Sequence, residues 1–475
     1  MATGHLYISA AHKSSGKTTL SIGLCAALRE DGDVVQPFKK GPDYIDPLWL
    51  GQAAGRACHN LDFYTMRRDE IDALFATAMQ GADIALIEGN KGLYDGLALD
   101  GSNSNAALAA QLGSSIVLVL DSQGMTRGVA PLILGYQAFD PAIRIVGVIL
   151  NKVGGSRHEA KLRNVIEHYT DVRVVGSVHK NDELVISERH LGLVPSNEVG
   201  GSQAHIARMA RLIRDQVDLD AVRTLAAGSR APSLVAPVQR PVVATDRVLL
   251  AYASDAAFGF YYAGDLEALR AAGADLLPFS PLRDTALPAC DGLFLGGGFP
   301  ETHMRALEDN RPMRQAIAAY IEQGGPTYAE CGGLMYLCDR LTWNGNMRRM
   351  AGVIPTEVVM HRKPQGRGYV RLRETGSHPW PLSADGSAPI SAHEFHYSAL
   401  AHVPDGFEFA YRVERGQGLD GVHDGLRYRN LLASYAHLRD TRSQPWAERF
   451  VRFVRDVRAG RVGGRAGATE RRERT

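Results

Sequence analysis

The feature of this sequence that most constrains its fold is a short apolar segment that leads through a glycine- and lysine-containing loop into a helix-forming stretch. The segment HLYISA (5–10) is apolar on both faces, as is typical of a strand inside a parallel sheet. The loop AHKSSGKTT (11–19) and the stretch TTLSIGLCAALRE (18–30) follow it directly. This order is typical of a P-loop, in which backbone amides and a helix N-terminus hold phosphate groups. Ala11 replaces the usual first glycine, but S-S-G-K-T-T keeps the half of the motif that faces the phosphates.

The P-loop predicts that the chain binds ATP together with Mg²⁺. Lys17 would reach the β- and γ-phosphate oxygens, and the hydroxyl of Thr18 would ligate the metal ion. Asn151 closes the apolar segment IRIVGVILN (143–151), a position at which P-loop proteins often hold the adenine, with a plain turn at the strand end as the alternative. An ordinary turn between a strand and a helix would not require this combination of residues. The residues predicted to bind ATP are Ser15, Gly16, Lys17, Thr18, Thr19 and Asn151.

Apolar segments of strand length alternate with helix-length segments along both halves of the chain. In the first half they fall at 83–89, 115–121 and 143–151, and the second half opens with RVLLAYASD (247–255). Alternation of this kind predicts doubly wound α/β sheets. Between the halves the sequence is rich in proline and small residues, which predicts a linker. The predicted bounds are 1–228 for a P-loop domain, 229–246 for the linker, 247–458 for a second domain and 459–475 for a disordered basic tail.

Two further loops with acidic residues follow predicted strands of the first domain. The loop KKGPDYIDP (39–47) follows VVQPF, and the loop EGNKGLYDG (88–96) follows IALI. The carboxyl ends of parallel strands meet at one edge of a sheet, so we expect both loops to lie beside the P-loop. A single Asp is more often a turn former or a helix cap, but three converging loops favour phosphoryl chemistry. The predicted metal ligands are Thr18, Asp43 and Glu88, with Asp46 and Asp95 as further candidates.

One cysteine of the second domain lies between a predicted strand and a predicted helix. Cys331 stands in PTYAECGG (326–333), which leads into LMYLCDRL (334–341). Its small neighbours permit the sharp turn of a nucleophile elbow, and we expect the helix N-terminus to lower the pKa of the thiol. His437, at the end of another strand-like segment, is the predicted base. The predicted oxyanion-hole residues are Gly297, Gly298 and Gly332.

Other cysteines and two neighbouring histidines receive plainer interpretations. Cys25, Cys290 and Cys338 are expected to be small buried apolar residues. His393 and His396 are three residues apart on a predicted strand and so point to opposite faces. We therefore expect substrate or structural roles for these histidines rather than a zinc site.

Composition and charge exclude several classes of protein. The formal net charge of +1 over 475 residues argues against a surface that binds nucleic acid. The apolar runs are far shorter than a membrane span, and the first residues do not have the pattern of a signal peptide. Five cysteines without paired metal spacing favour a reducing compartment. We therefore expect a cytoplasmic protein with no nucleic-acid or membrane partner, and a homodimer is left open.

Taken together, the motifs resemble the cobyrinate a,c-diamide synthase family, which includes siroheme amidase-like relatives. The resemblance runs from residue 5 to about residue 455. It rests on SGKTT (15–19), KGPDYIDP (40–47), EGNKGLYDG (88–96), GGGFPE (296–301), AECGGLMYL (329–337), HEFHYS (393–398) and ASYAHL (433–438).

The resemblance implies a dethiobiotin-synthetase-like ATPase domain joined to a class I-like, triad-type glutamine amidotransferase domain. It implies a carbon–nitrogen ligase in which ATP phosphorylates the c- and then the a-acetate carboxylate of a tetrapyrrole. Ammonia from L-glutamine would then displace each phosphate. By position in the motifs, the resemblance assigns Asp43, Glu88 and Asp95 to Mg²⁺ and the acyl phosphate, and Tyr44 and Ile45 to the macrocycle.

The chain departs from the family pattern at positions that bear on the substrate. Asn90 and Lys91 stand where the family commonly has apolar residues. We expect Lys39 and Lys40 to supply positive charge at the rim of the ring. Cobyrinate, of cobalamin biosynthesis, is the first assignment, and siroheme or sirohydrochlorin of sulfur metabolism is the alternative. No Glu stands two residues after His437, so the sequence leaves the third member of the catalytic set open.

Two other interpretations account for the P-loop half alone. A ParA/MinD-like ATPase switch would carry a signature lysine at the second loop position, where this chain has His12, and would not need Cys331 or His437. A dethiobiotin synthetase would end near residue 230. Both leave the second domain without a role, so the sequence favours an amidotransferase.

Overall fold

The chain divides into two units, Met1–Gln239 and Arg240–Thr475. The computed structural model describes residues 4–181, 184, 186–189, 192–230, 246–381 and 388–461. Most of the predicted linker (231–245) and the predicted tail beyond residue 461 lie outside the described residues. The domain bounds drawn from the sequence therefore stay predictions.

The first unit is built from short strands and intervening helices. Its strands are β1 (Gly4–Ala10), β2 (Val35–Lys40), β3 (His59–Leu61), β4 (Ile84–Glu88), β5 (Ser115–Asp121), β6 (Arg144–Val153), β7 (Arg173–His179), β8 (Glu188–Arg189) and β9 (Gly192–Leu193). Its helices are α1 (Lys17–Glu30), α2 (Ile45–Ala54), α3 (Arg68–Ala78), α4 (Asn105–Leu112), α5 (Val129–Phe139), α6 (Ser156–Tyr169), α7 (Ser202–Gln216) and α8 (Leu219–Ala227).

A seven-stranded sheet in the order β3-β2-β4-β1-β5-β6-β7 forms the centre of this unit. All of its neighbouring strands are paired in parallel. Every residue of β1 is buried, as expected for a strand that is apolar on both faces. The α/β fold class predicted from the alternation of segments is confirmed. The carboxyl ends of β1, β2 and β4 lead into the three loops of the predicted phosphate site.

The second unit contains more strands than the first. Its strands are β10 (Val248–Ala253), β11 (Phe258–Phe260), β12 (Ala274–Phe279), β13 (Gly292–Leu295), β14 (Gly297–Gly298), β15 (Thr327–Glu330), β16 (Cys338–Trp343), β17 (Asn346–Arg349), β18 (Ile354–Met360), β19 (Gly366–Glu374), β20 (Ile390–His396), β21 (Ser398–Leu400), β22 (Glu408–Arg415), β23 (His423–Tyr428) and β24 (Leu431–Ser434). Its helices are α9 (Ala263–Ala271), α10 (Met304–Asp309), α11 (Arg311–Glu322), α12 (Gly332–Leu337) and α13 (Trp446–Arg458), with a 3-10 turn at Pro300–His303.

A nine-stranded mixed sheet carries the second site. Its order is β12-β10-β13-β15-β24-β23-β22-β19-β20, with the first five strands parallel to one another and the later pairs antiparallel. β15 and β24 are neighbours in this sheet, with Glu330 opposite Ser434. The strand that ends at the predicted nucleophile therefore lies beside the strand that leads to the predicted base.

The helix predicted over 334–341 is only half correct. α12 ends at Leu337, and Cys338 begins β16, which pairs with β17 and β18 in a four-stranded sheet. The apolar run alone did not distinguish helix from strand, because the deciding hydrogen bonds come from strands further along the chain.

Aromatic packing supports the strand that carries the nucleophile. Tyr328 on β15 contacts the rings of Phe294, Trp380, Trp446 and Phe450, with centroids 5.0–6.1 Å apart. These rings pack α13 against the sheet and so stabilise the position of β15. Among the described residues, no helix combines the length and apolar character needed to cross a membrane.

Candidate phosphate and thiol sites

The P-loop is held in place by hydrogen bonds to its own backbone. Gly16 has φ 88°, and a Cβ there would overlap Nδ2 of Asn151, so this position requires glycine. Asn151 donates from Nδ2 to the carbonyl of Ser15 at 2.9 Å, and Ser15 donates from Oγ to the carbonyl of His12 at 2.8 Å. The observed contact of Asn151 is therefore with the loop, and its role at the adenine stays a prediction.

A cavity of about 600 Å³ opens over the P-loop, a size that suits a small-molecule ligand. It lies where the sequence predicts the nucleotide. Residues from the ends of β6 and β7, including Lys152 and Lys180, also line it. The predicted site residues that line it are Gly16, Lys17, Thr18, Thr19, Asp43, Ile45 and Asn151.

Two of the predicted metal ligands, Thr18 and Glu88, are in contact beside this cavity. Thr18 donates from Oγ1 to Oε1 of Glu88 at 2.5 Å and also contacts Oδ2 of Asp46 at 3.2 Å. Glu88 is buried, and its Oε2 has no hydrogen-bond partner among the described residues. Asp43 accepts the backbone N–H groups of Ile45 and Asp46 through Oδ1, so it also caps α2. Glu88 and Asp46 thus have the shortest contacts with Thr18.

The oxygen atoms at this point fit Mg²⁺. Among the residues that the structure describes, no group of three or more His, Cys, Asp or Glu is arranged to hold a metal ion by itself. Mg²⁺ does not need one, since it is usually held by one or two carboxylates together with phosphates and water. The hydroxyl of Thr18 and the unsatisfied Oε2 of Glu88 are hard donors of the required kind.

The expectation that Lys39 supplies charge at the rim of a ring is wrong. Lys39 is only 3% exposed, and its Nζ lies 2.5 Å from Asp46, 3.2 Å from Glu88 and 3.8 Å from Asp43. Burial by itself would lower the pKa of Lys39, but these carboxylates outweigh it and raise the pKa well above its usual range. Lys39 therefore neutralises the acidic cluster from within.

Burial also changes the protonation of the neighbouring groups. Burial first, and then the charge of Asp46, raises the pKa of Asp43 to about 7. Burial lowers the pKa of Lys40 to about 8 and lowers that of Lys17. Asp95 accepts the N–H of Gly92 at 2.9 Å and so is tied to its own loop.

Cys331 lies at a strained turn between β15 and α12. Its backbone angles, φ 47° and ψ −99°, are rare for residues other than glycine. This conformation turns the thiol out of the line of the strand. The N–H of Cys331 donates to the carbonyl of Ser434 at 2.7 Å, which ties the turn to β24. A Cβ at Gly333 would overlap the carbonyl of Leu295, so the turn also depends on its glycines.

The glycines predicted for the oxyanion hole lie against the elbow and the base. A Cβ at Gly297 would lie 2.7 Å from Cε1 of His437, and one at Gly332 would lie 2.9 Å from the backbone N of Gly298. Cys331, the glycine loop and His437 therefore form one compact group. Larger residues at these glycines would separate its members.

The expected lowering of the Cys331 pKa is not found. Cys331 is 7% exposed, and burial, followed by the carboxylates of Glu301 and Glu330, raises the pKa of its thiol. The backbone N–H of Gly332, the first residue of α12, acts in the opposite direction but does not outweigh these effects. A thiol with a raised pKa needs an adjacent base to become a nucleophile.

Sequence reasoning missed Glu330. Its Oε2 lies 3.3 Å from Nδ1 of His437, and its Oε1 accepts the N–H of Leu438 at 3.0 Å. A signal was present in the motif A-E-C-G-G, since an acidic residue at a buried strand end beside the nucleophile is unusual. Its partner is 107 residues away, so the contact itself was not readable from the motif.

The two histidines of β20 have structural contacts, as expected. The ring of His393 stacks on that of His437 with centroids 5.0 Å apart. His396 contacts the carbonyl of Ser398 through Nδ1 at 2.7 Å and stacks on Tyr435. Of the cysteines expected to be buried, Cys25 and Cys338 are buried, whereas Cys290 is half-buried and so corrects that expectation.

Comparisons with known proteins match each half separately and the chain as a whole. Residues 8–194 match a CobQ/CobB/MinD/ParA nucleotide-binding domain, and residues 250–444 match a CobB/CobQ-like glutamine amidotransferase domain. A cobyrinate a,c-diamide synthase of Magnetococcus marinus is 47% identical over 93% of this chain and 95% of its own length. Proteins of the same name from Methanosarcina acetivorans and Listeria innocua are 39% and 38% identical, each over 91% of this chain and over 91% and 95% of their own lengths.

Proposed function

The chain belongs to the cobyrinate a,c-diamide synthase family, and from this premise we propose that it amidates the a- and c-acetate carboxylates of cobyrinate with ATP and glutamine. It is a glutamine-dependent carbon–nitrogen ligase of cobalamin biosynthesis. The observation that carries the proposal is the presence in one chain of a phosphate cavity with Lys17 and Thr18 and of an elbow with Cys331 beside His437.

In the first unit, the proposed reaction is phosphoryl transfer to a carboxylate. An acetate oxygen of the ring attacks the γ-phosphorus, the bond to the β-γ bridging oxygen breaks, and ADP leaves. Lys17 stabilises the charge on the transferred group. Ammonia then attacks the carbonyl carbon of the acyl phosphate, and inorganic phosphate leaves with the bonding electron pair.

The proposed metal ion is held by Thr18 and Glu88, with Asp46 and Asp43 beside them. Support comes from the 2.5 Å contact between Thr18 and Glu88 and from the unsatisfied Oε2 of Glu88. When bound, Mg²⁺ would neutralise phosphate charge. Lys39 holds Asp46 and Glu88 in their positions by ion pairs of 2.5 and 3.2 Å.

In the second unit, the proposed reaction is hydrolysis of glutamine through a thioester. His437 takes the thiol proton as the sulfur of Cys331 attacks the amide carbon, and then gives a proton to the leaving ammonia. The N–H groups of Gly298 and Gly332 would stabilise the oxygen of the tetrahedral intermediate. Water then releases glutamate and restores the thiol.

For the macrocycle we propose contacts from the start of α2. Ile45 lines the cavity beside the P-loop, and Tyr44 precedes it. Lys40 is also buried, at 7% exposed, but it remains the candidate for a carboxylate of the ring because Lys39 is committed to the acidic cluster. We also propose a cytoplasmic location, which the free state of Cys331 and of the other described cysteines supports.

The choice of ring is tested by offering the purified chain cobyrinate and siroheme in parallel, each with ATP, Mg²⁺ and glutamine. Mass spectrometry counts the amides formed. We expect cobyrinate to be converted to the diamide and siroheme to remain unmodified. Conversion of siroheme but not cobyrinate would show that the substrate is wrong while the class of reaction stands.

A further inference from the structure

The carboxylate of Glu330 occupies the position that would orient the base of the thiol site. Glu330 is the last residue of β15, directly before Cys331, and is 3% exposed. Its Oε2 faces Nδ1 of His437 at 3.3 Å. Its Oε1 accepts the N–H of Leu438 at 3.0 Å and the hydroxyl of Tyr328. Both oxygens therefore have defined and different partners.

The ring of His437 is fixed from other sides as well. The backbones of His437 and His393 exchange hydrogen bonds of 2.8 and 3.3 Å, and the two rings stack with an interplanar angle of 18°. Nε2 lies on the side of Gly297, 3.5 Å from the point where a Cβ of that residue would stand. With Nδ1 turned to Glu330, Nε2 is the nitrogen on the side of the glycine loop, whose Gly298 lies against Gly332 of the elbow.

We propose that Glu330 is the positioning residue of the glutaminase site, holding His437 with its proton on Nδ1 so that Nε2 accepts the proton of the Cys331 thiol. This inference rests on the proposed glutamine hydrolysis at Cys331. The carboxylate beside the histidine thus comes from the residue directly before Cys331 and not from the position two residues after His437. Two residues after the base stands Arg439, whose guanidinium lies 4.3 Å from the centroid of the Tyr262 ring.

The chemistry of the site requires such a group. As the sulfur bonds to the amide carbon, the thiol proton moves to Nε2, and the carbonyl electrons move to the oxygen. His437 becomes a buried cation at that moment, and a buried cation without an anion beside it is costly. The carboxylate of Glu330 balances this charge until the proton passes to the leaving ammonia.

A Glu330→Gln variant tests the tautomer directly. The N–H of Leu438 is a donor, so it keeps the amide oxygen of the new side chain on its own side. The amide NH₂ group then faces Nδ1, which must accept, and the proton of the neutral ring moves to Nε2. A ring in that state cannot take the thiol proton, although the packing volume is nearly unchanged.

We expect Glu330→Gln to lower kcat for glutamine hydrolysis by about 10²- to 10⁴-fold, with KM for glutamine changed by less than about threefold. Glu330→Asp keeps the carboxylate, so its kcat should be at least about tenfold higher than that of Glu330→Gln. Tyr328→Phe is the matched control, because it removes one donor to Oε1 and leaves Oε2 facing His437. Its kcat should fall by less than about tenfold.

Ammonia-dependent synthesis by the same preparations reports whether the chain is folded. The proposal is overturned if Glu330→Gln keeps kcat within about threefold of the wild type, or if Glu330→Asp recovers nothing. It is also overturned if Glu330→Gln loses ammonia-dependent synthesis, since the side chain would then serve the fold. Retention of glutamine hydrolysis by Cys331→Ala, in contrast, would refute the proposed function itself.

Discussion

At Cys331 the backbone conformation and the burial of the side chain have different consequences. The positive φ of 47° turns the thiol out of the strand, which favours access by a substrate. Burial raises the pKa of the same thiol, which disfavours a thiolate that exists before the substrate arrives. In the proposed glutamine hydrolysis, proton transfer to His437 would therefore accompany the attack of the sulfur.

Single residues differ in how well the sequence reveals them. Lys17 and Thr18 were predicted because the P-loop places both within one short segment. The burial of Lys39 was not, since it depends on Asp46 and Glu88 approaching from two loops. Glu330 was missed for the same reason, because its partner His437 lies 107 residues further along the chain, just after β24.

At this scale we predict the effect of Lys17→Ala. The substitution removes the charge that stabilises the transferred phosphoryl group, so amidation should fall by at least about 100-fold with either glutamine or ammonia. Glutamine hydrolysis should stay within about threefold of the wild type, because the thiol site belongs to the other unit. Steady-state assays of ADP and amide formation measure amidation with each nitrogen source, and release of glutamate measures glutamine hydrolysis.

Lys13→Ala is the matched control for this variant. It removes the same charge from an exposed position of the same loop. We expect its amidation rate to remain close to that of the wild type. Equal rates for Lys17→Ala and Lys13→Ala would show that the phosphate site lies elsewhere.

Among the elements, β23 and β24 position His437, the proposed base. Asp424 on β23 is fully buried and accepts the N–H groups of Tyr435 at 3.0 Å and Ala436 at 2.9 Å. These residues connect β24 to His437, so one carboxylate fixes the path of the segment that carries the base. The parallel pairing of β15 with β24 then brings that segment beside the elbow.

The sequence predicted the strands of the first unit better than the sheets of the second. The predicted segment 115–121 is β5 without change, because a run of buried apolar residues has few alternatives in an α/β pattern. The start of β16, by contrast, falls within the helix that the sequence predicts over 334–341. Its pairing with β18 joins residues separated by a turn and another strand, and such pairings leave little trace in local sequence.

Burial of Asp424 predicts a change of stability with pH. Desolvation raises its pKa from 3.8 to about 6 in the folded chain, so the folded state binds the proton more tightly than the unfolded state. The resulting stabilisation is fully present below the unfolded pKa and is lost as the pH rises through about 6. As the pH rises from about 5 to about 7.5, Asp424 should therefore lower the free energy of unfolding by roughly 1 kcal/mol.

The measurement compares wild type and Asp424→Asn by calorimetry at both pH values. The difference in free energy of unfolding between the two proteins cancels the effect of the other titrating groups. The stabilisation from the protonated Asp424 should be lost from the wild type at the higher pH, whereas the variant has no such contribution to lose. A stability difference between the two proteins that is the same at both pH values would contradict the buried, proton-binding state of Asp424.

In the whole molecule, we propose that each unit carries out one half of the reaction. The two family models fall on residues 8–194 and 250–444, one in each unit. The phosphate cavity and the thiol elbow are likewise built from residues of one unit each. The motifs predict the division between an ATP-dependent and a glutamine-dependent half, whereas the domain bounds stay predictions and a homodimer stays open.

The proposed division between the two units predicts how cobyrinate amidation by Cys331→Ala depends on the nitrogen source, measured with glutamine and, separately, with an ammonium salt. With glutamine we expect no diamide, because the sulfur that releases ammonia is gone. With the ammonium salt the rate should lie within about threefold of the ammonia-dependent rate of the wild type and of Cys290→Ala, which removes a thiol elsewhere. Loss of the ammonia-dependent reaction in a folded Cys331→Ala chain, or diamide formed from glutamine, would contradict the account.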